Sequence, residues 1–241
     1  MSPNAVPPAP EFALAVTGLG KQFTLHVQGG VVLPVLSGMN LEVAPGECVA
    51  LNGPSGAGKS SLLRLVYGNY RAQKGSIRVR HRGQVVDVAT ATPQKILELR
   101  RHTLGYVSQF LRVIPRVPAI DVVAEPARAV GMSLAEAEHR AERLLSRLRI
   151  PERLWSLPPA TFSGGEQQRI NLARGFVVDF PVLLLDEPTA ALDADNRRTV
   201  MALIAEAKGR GAALLGIFHD AEVREAVADR VIAMRPPAMA A

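Results

Sequence analysis

The sequence contains little cysteine, few aromatic residues and no long apolar run. Cys48 is the only cysteine in 241 residues, which excludes an internal disulfide and any metal site built from several cysteines. No apolar segment reaches the roughly 20 residues of a membrane-spanning helix, because the best candidate, residues 176–185, is interrupted by Asp179 and Pro181. The N-terminus also lacks the basic start and apolar stretch of a signal peptide. We therefore expect a cytoplasmic protein that is not inserted in a membrane.

The composition is that of a folded domain with a basic surface. Apolar residues make up 48% of the chain and charged residues 21%, which excludes a fully disordered chain. The net charge of +6 suits an anionic partner such as a nucleotide, although a solvated basic surface explains it as well. Because aromatic residues amount to only 5% and no Lys/Arg-rich tail is present, we expect no nucleic-acid partner.

Strand-like and helix-like segments alternate along the chain, which predicts an α/β sheet. Residues 182–185 and 213–218 are continuous apolar runs, typical of buried parallel strands. Residues 76–88 predict a β-hairpin that turns near Arg82-Gly83.

Residues that cap helix N-termini mark several helix starts. Ser133 and Glu136 fit a capping box, followed by a helical apolar pattern to about Arg149. Further helices are predicted to begin at Thr92-Pro93, at Ser163 and near Asp193. From these patterns we expect a flexible leader at 1–11, a folded domain at 12–234 with a helical subdomain inserted at about 110–165, and a flexible tail at 235–241.

Residues 53–60, GPSGAGKS, match the phosphate-loop pattern G-x-x-x-x-G-K-[ST] between an apolar strand and a helix. Glycines allow successive backbone N–H groups to surround a polyphosphate, and the helix presents its positive end to the same anion. Lys59 is placed to reach the β- and γ-phosphates, and Ser60 to provide an oxygen ligand for Mg²⁺. An ordinary glycine-rich turn is the alternative. The predicted nucleotide contacts of this loop are Gly53, Ser55, Gly56, Gly58, Lys59, Ser60 and Ser61.

The apolar strand at 182–185 ends in two carboxylates, Asp186 and Glu187. Asp186 is placed to hold Mg²⁺, directly or through water, and Glu187 to orient an attacking water. Taken alone, this pair also fits a simple strand end. Together with the phosphate loop it indicates a nucleotide-hydrolysing site.

Residues 162–167, FSGGEQ, place a serine and two glycines at a predicted helix start. Ser163 and Glu166 fit an ordinary capping box, but two glycines in a first turn weaken a helix. Close approach of the backbone to a ligand accounts for that cost, so Ser163, Gly164 and Gly165 form a second candidate phosphate-binding helix start. Two such starts in one fold suggest a composite site.

In their order along the chain, these motifs resemble those of the ATP-binding-cassette (ABC) ATPases. The resemblance implies a P-loop NTPase core with an antiparallel β subdomain and an inserted helical subdomain. It implies ATP and Mg²⁺ as cofactors, and a second cassette, of the same chain or a related subunit, that pairs head to tail. ATP would then lie between the phosphate loop of one cassette and Ser163 of the other.

The same resemblance assigns roles to residues outside the three motifs. Gln109 would sense Mg²⁺ and the attacking water, and His219 would hold the γ-phosphate and that water. Asp193, in Ala191-Leu192-Asp193, would communicate across the dimer interface. Phe23 stands where the family usually has an adenine-stacking tyrosine, although it also suits a core position. Two further departures are Phe162 for the family's leucine and Glu166 for its glutamine.

Several segments resemble more closely one branch of the family, the L subunit of the bacterial carbon–phosphorus lyase system. They are residues 26–36, 106–116, 150–155 and 216–220. This resemblance implies support for the formation of ribose 1-phosphonate 5-triphosphate from ATP and an alkylphosphonate, together with the other lyase subunits. The alternative is the ATPase motor of a membrane importer or a lipoprotein-releasing transporter.

The stretch from Phe110 to Val123, which includes Leu111, Arg112 and Arg116, mixes apolar and basic residues after Gln109. We expect it to contact the partner, although it also fits a subdomain linker. A module that binds ATP without hydrolysing it is disfavoured, because it would need no carboxylate at Glu187.

Overall fold

The computed structural model describes residues 12–25, 30–111, 115–190 and 192–236. The expected leader at 1–11, residues 26–29, residues 112–114, Ala191 and the tail from 237 onward lie outside the described residues. Within the described ranges, no helix is long and apolar enough to cross a lipid bilayer.

The described strands and helices alternate over much of the chain, as the sequence pattern predicts. In chain order the strands are β1 (Leu14–Leu25), β2 (Val31–Val43), β3 (Cys48–Asn52), β4 (Lys74–His81), β5 (Gln84–Asp87), β6 (Leu104–Val107), β7 (Val182–Asp186), β8 (Ala213–Ile217) and β9 (Arg230–Ala233). The helices are α1 (Lys59–Val66), α2 (Pro93–His102), α3 (Ala119–Ala129), α4 (Leu134–Arg147), α5 (Gly164–Phe176), α6 (Ala194–Gly209) and α7 (Ala221–Val227), with short 3₁₀ turns at Glu152–Leu154 and Pro159–Thr161.

The central sheet has five parallel strands in the order β6-β7-β8-β3-β9. The two apolar runs form β7 and β8, as predicted, and every residue of both strands is buried. Because the strands are parallel, their carboxyl ends lie at one edge of the sheet, where ligands bind in open α/β sheets. The phosphate loop after β3 and the carboxylates that end β7 share that edge.

A second, antiparallel sheet has the order β2-β1-β4-β5. The predicted hairpin is confirmed: β4 and β5 are joined at Arg82 and Gly83, whose φ angles are 48° and 80°. Positive φ at both central residues is the requirement of a tight two-residue hairpin turn.

The predicted helix starts are confirmed at Thr92, Ser133, Ser163 and Asp193, each of which caps a helix with its side chain. Helix α4 ends at Arg147, two residues before the predicted limit, because Arg149 has a φ of 55° and leaves the helical conformation. Helix α3, which contains Pro126, and the small elements α7 and β9 were not identified from the sequence.

Two apolar clusters cover opposite faces of the central sheet. Leu183 and Leu185 of β7 join the cluster that contains α3, α4 and α5, whereas Val182 and Leu184 join the cluster beneath the antiparallel sheet and α1. This alternation follows from the two-residue period of a strand. Cys48 lies buried in the first cluster, and burial raises the pKa of its thiol to about 12.

Helix α5 lies directly against β6 because Gly175 has no side chain. A Cβ atom at Gly175 would be 2.3 Å from Val107 Cγ2, far inside van der Waals contact. Since α5 begins with the second candidate phosphate-binding motif, this contact fixes the position of that motif relative to the central sheet.

We predict that Gly175→Ala lowers the free energy of unfolding by about 1–3 kcal/mol, because the added methyl group overpacks the α5–β6 contact. Urea denaturation of the purified protein measures the change. Gly209→Ala is the matched control, since a Cβ at this helical glycine would meet no described atom within 4 Å. A Gly175→Ala protein as stable as the wild type would show that the contact adjusts freely.

Candidate functional site

The phosphate loop has a backbone that only glycine adopts readily at three positions. Gly53, Gly56 and Gly58 have φ angles of 153°, 79° and 86°. A Cβ at Gly53 would lie 2.3 Å from Met234 O, and one at Gly58 would lie 2.7 Å from Val35 O. The loop therefore needs glycine at Gly53 and Gly58 for space as well as for conformation. In an ordinary surface turn, glycine is needed for conformation alone.

Helix α1 begins inside the loop, at Lys59, and its N-cap Gly58 has no side chain to occupy the first amides. Those N–H groups and the helix dipole favour an anion. The Lys59 side chain is buried and lies across the loop, where its Nζ donates to Gly53 O at 2.6 Å and Pro54 O at 2.9 Å. The Lys59 ammonium and the first N–H groups of α1 thus lie close together, where both would attract an anion.

Asp186 is 1% exposed and accepts a hydrogen bond on each carboxylate oxygen. Ser60 Oγ donates to Oδ1 at 2.9 Å, and the Tyr106 hydroxyl donates to Oδ2 at 3.0 Å. Burial raises the pKa of Asp186, while the two hydroxyl donors oppose that shift. Ser60 and Asp186 thus lie together, as their motifs predict, whereas no sequence motif pointed to Tyr106.

Both carboxylate oxygens of Glu187 have a side-chain hydrogen-bond partner. Gln109 Nε2 donates to Oε2 at 3.1 Å, and His219 Nε2 lies 2.8 Å from Oε1 and donates to it. The structure therefore brings together Glu187, Gln109 and His219, which come from the ends of β7, β6 and β8.

The backbone of Glu187 has a φ of 54°, a left-handed conformation that is unusual for a residue with a side chain. Its N–H donates to Ile217 O at 3.1 Å. The buried Gln168 of α5 donates Nε2 toward Glu187 O at 3.4 Å and Pro188 O at 3.3 Å. These contacts hold a strained residue in place, and Gln168 is a second residue that sequence reasoning missed.

The helix start at Ser163 is a complete capping box. Ser163 Oγ accepts from Glu166 N at 3.3 Å, and Glu166 Oε2 accepts from Ser163 N at 2.9 Å and from Ser163 Oγ at 2.7 Å. The Ser163 hydroxyl bond and backbone bond lower the pKa of Glu166. The capping alternative is therefore confirmed, and Glu166 supplies the reciprocal contact.

Capping does not explain the glycine that follows. A Cβ at Gly164 would meet no described atom within 4 Å, so packing inside the described chain imposes no glycine there. No hydrogen bond within the described ranges joins Ser163, Gly164 or Gly165 to the group around Glu187. The phosphate contacts of these three residues stay a prediction.

Phe23 and Asp193 are the remaining predicted positions. The Phe23 ring meets Tyr70 edge to face, with centroids 5.2 Å apart, and Lys21 Nζ lies 4.8 Å from its centroid. These contacts support a packing role and leave adenine stacking a prediction. Asp193 Oδ1 accepts from Asn196 N at 2.7 Å, so it caps α6, and this backbone bond is the main cause of its lowered pKa.

The donor set fits Mg²⁺ better than a transition metal. Ser60 and Asp186 offer oxygen ligands, which Mg²⁺ prefers in combination with phosphate oxygens and water. In the part of the chain that the structure describes, no group of three or more His, Cys, Asp or Glu side chains could hold a metal by itself. A cation at Ser60 and Asp186 would thus depend on a bound polyphosphate for the rest of its ligands.

Comparison with known proteins places this geometry in one family. The profile of the ABC transporter family matches residues 36–190. An uncharacterized ABC transporter ATP-binding protein of Mycobacterium tuberculosis is 36% identical over 211 residues, which cover 88% of this chain and 62% of that relative. The lipoprotein-releasing system ATP-binding protein LolD of Maricaulis maris is 42% identical over 192 residues, covering 79% of this chain and 82% of LolD. The chain thus spans less than two thirds of the length of the mycobacterial relative.

A solved structure has the same architecture. The ATP-binding cassette MJ0796, described as a dimer in a post-hydrolysis state bound to ADP and Pi, is similar with a TM-score of 0.84 and 26% identity, over 92% of this chain and 94% of that one. The P-loop core and the antiparallel β subdomain expected from the motifs are thus both confirmed. The chain belongs to the ABC transporter family, and it is an ATP-binding and ATP-hydrolysing cassette whose cofactors are ATP and Mg²⁺.

Proposed function

We propose that this chain is the ATPase motor of a membrane transporter, of the kind represented by the lipoprotein-releasing system. The observation that carries the proposal is the 42% identity to LolD over most of both chains. Glu187, with its two side-chain partners, supports a cassette that hydrolyses ATP. The protein would act on the cytoplasmic side of a membrane, attached to a permease.

The carbon–phosphorus lyase hypothesis rests on four short segments, one of which begins in residues outside the described ranges. The relatives compared above are named as ABC transporter ATP-binding proteins. They favour the transporter alternative, and they give the lyase assignment, its phosphonate chemistry and its lyase partners no support.

In the proposed mechanism the amides of residues 53–60 and Lys59 bind the phosphates, and Ser60 and Asp186 hold Mg²⁺. Bound Mg²⁺ would neutralise charge on the phosphate oxygens. Glu187 orients the attacking water. Gln109 and His219 keep the two carboxylate oxygens of Glu187 fixed. Asp186 is buried, whereas Glu187 is only half-buried and its partner His219 is exposed, so exclusion of other water around Glu187 would depend on closure of the proposed dimer.

We further propose a head-to-tail dimer, either of this chain or with a related cassette. The MJ0796 structure is described as dimeric. In this chain, Ser163 and Gly164 are exposed, and the open space beside Gly164 supports close approach of a ligand held by the other protomer. Asp193 would lie near that interface.

The proposed permease contact is a groove beside Gln109. A cavity of about 870 Å³ is lined there by residues of α1, α2, β6 and α3 and by Phe110. Phe110 is 75% exposed, which supports its burial against a partner. Of the other residues expected at this contact, Leu111 packs against the core, and Arg112 lies outside the described residues.

We predict that Glu187→Gln retains ATP binding but loses turnover by about 100-fold or more, because the amide cannot activate water, and that it accumulates ATP-bound dimer. Phosphate release and size-exclusion chromatography with ATP measure the two effects. Glu222→Gln, which alters an exposed carboxylate of α7, is the control and should turn over normally. Wild-type turnover in Glu187→Gln would remove the residue from catalysis.

We predict that a membrane permease co-purifies with the untagged protein from native cells and is identified by mass spectrometry. Phe110→Ala should reduce its recovery about tenfold, since exposed aromatic anchors dominate interfaces, without changing nucleotide affinity. Leu134→Ala, which truncates another exposed apolar side chain, should leave the recovery of the permease unchanged. Recovery of soluble lyase subunits in place of a permease would restore the carbon–phosphorus lyase hypothesis and reject the transporter proposal.

A further inference from the structure

Tyr106 is one of the residues that line the cavity beside Gln109 and also contact the nucleotide site. It lies on β6, paired in register with Leu184 of β7, so its side chain stands on the same face as Asp186, two residues further along β7. Its hydroxyl donates to Asp186 Oδ2 at 3.0 Å, and its ring forms part of the cavity wall.

The hydroxyl of Tyr106 completes the hydrogen bonding of a buried charge. Ser60 donates to one oxygen of Asp186 and Tyr106 to the other. When Ser60 provides a ligand to Mg²⁺, as proposed above, Tyr106 is the donor that keeps the carboxylate in place. Partners of this kind orient metal ligands, and their loss weakens metal binding.

The Tyr106 ring is itself held firmly. It packs on Tyr67, with centroids 5.1 Å apart at an interplanar angle of 41°. The guanidinium of Arg64 lies close to the Tyr106 hydroxyl and donates to Tyr70 at 3.1 Å. A hydroxyl on such a rigid support fixes the direction of its hydrogen bond.

We propose that Tyr106 is a positioning residue that sets the metal affinity of the nucleotide site by orienting Asp186. The inference rests on the proposed role of Asp186 as a magnesium-holding residue. A tyrosine that only fills space would contribute through its ring alone, and phenylalanine would replace it without loss.

The experiment measures ADP affinity of the full chain in EDTA and again with Mg²⁺, because the ratio of the two reports metal binding without turnover. Tyr106→Phe should bind ADP in EDTA as tightly as the wild type. The factor by which Mg²⁺ increases its ADP affinity should be roughly tenfold smaller than in the wild type. Tyr67→Phe is the matched control: it removes a hydroxyl from the same cavity wall, one that is not bonded to Asp186, and should behave as wild type. Thermal unfolding verifies that both variants fold.

A double-mutant cycle tests whether the effect passes through Asp186. In an Asp186→Asn background, Tyr106→Phe should cause little further loss of the Mg²⁺ gain. The inference is overturned if Tyr106→Phe keeps the full gain, if Tyr67→Phe loses as much, or if the loss is unchanged in the Asn background. A wild-type protein that gains no affinity from Mg²⁺ would instead reject the proposed magnesium site, and the role of Tyr106 with it.

Discussion

A carboxylate buried at the end of a strand must be hydrogen-bonded, and the site is organised around this requirement. Asp186 is almost fully buried at the end of β7, where an unpaired charge would be very unfavourable. Two hydroxyls meet the requirement, one from the helix after the phosphate loop and one from the neighbouring strand. Satisfying one buried group therefore ties α1, β6 and β7 together at the edge of the sheet where the phosphates would bind.

The sequence alone was sufficient for the local features of this site. The glycine spacing at 53–60, the apolar run before Asp186 and the caps at Ser133, Ser163 and Asp193 each act over a few residues, so each is readable from the chain. Contacts that depend on strand register were not readable. Tyr106 and Asp186 are 80 residues apart, and only the pairing of β6 with β7 places the hydroxyl on the carboxylate. Gln168 was missed for a similar reason, because its partners are backbone carbonyls after β7.

Resemblance in short segments was a weaker guide to the biological system than to the fold. Motifs that bind phosphate are common to the whole family, because every member needs the same backbone around the same anion. The segments that suggested a lyase subunit lie partly in connections around the core, and the sequence offered no physical reason for assigning them a substrate. Identity over most of a relative's length is better evidence, and it favours a transporter.

In the proposed dimer, Ser163 would cap its own helix and also contact a phosphate of the other protomer. Its hydroxyl donates to Glu166 in the single chain, so a phosphate arriving from another protomer would have to compete with a carboxylate of the same chain. The negative charge of Glu166, close to the proposed phosphate site, would raise the free energy of the proposed closed dimer. The family's usual glutamine at this position would not carry that charge, so Glu166 is expected to make dimer closure more sensitive to ionic strength.

The chemistry of Cys48 has a practical consequence. A thiol reacts as the thiolate, and burial together with a pKa raised to about 12 leaves almost none of that form at neutral pH. We therefore expect Cys48 of the folded protein to react slowly with maleimides and other thiol reagents. A single engineered cysteine could carry a spin label or a cross-linker without removal of the natural one, so distances across the proposed dimer could be measured in an otherwise unaltered chain.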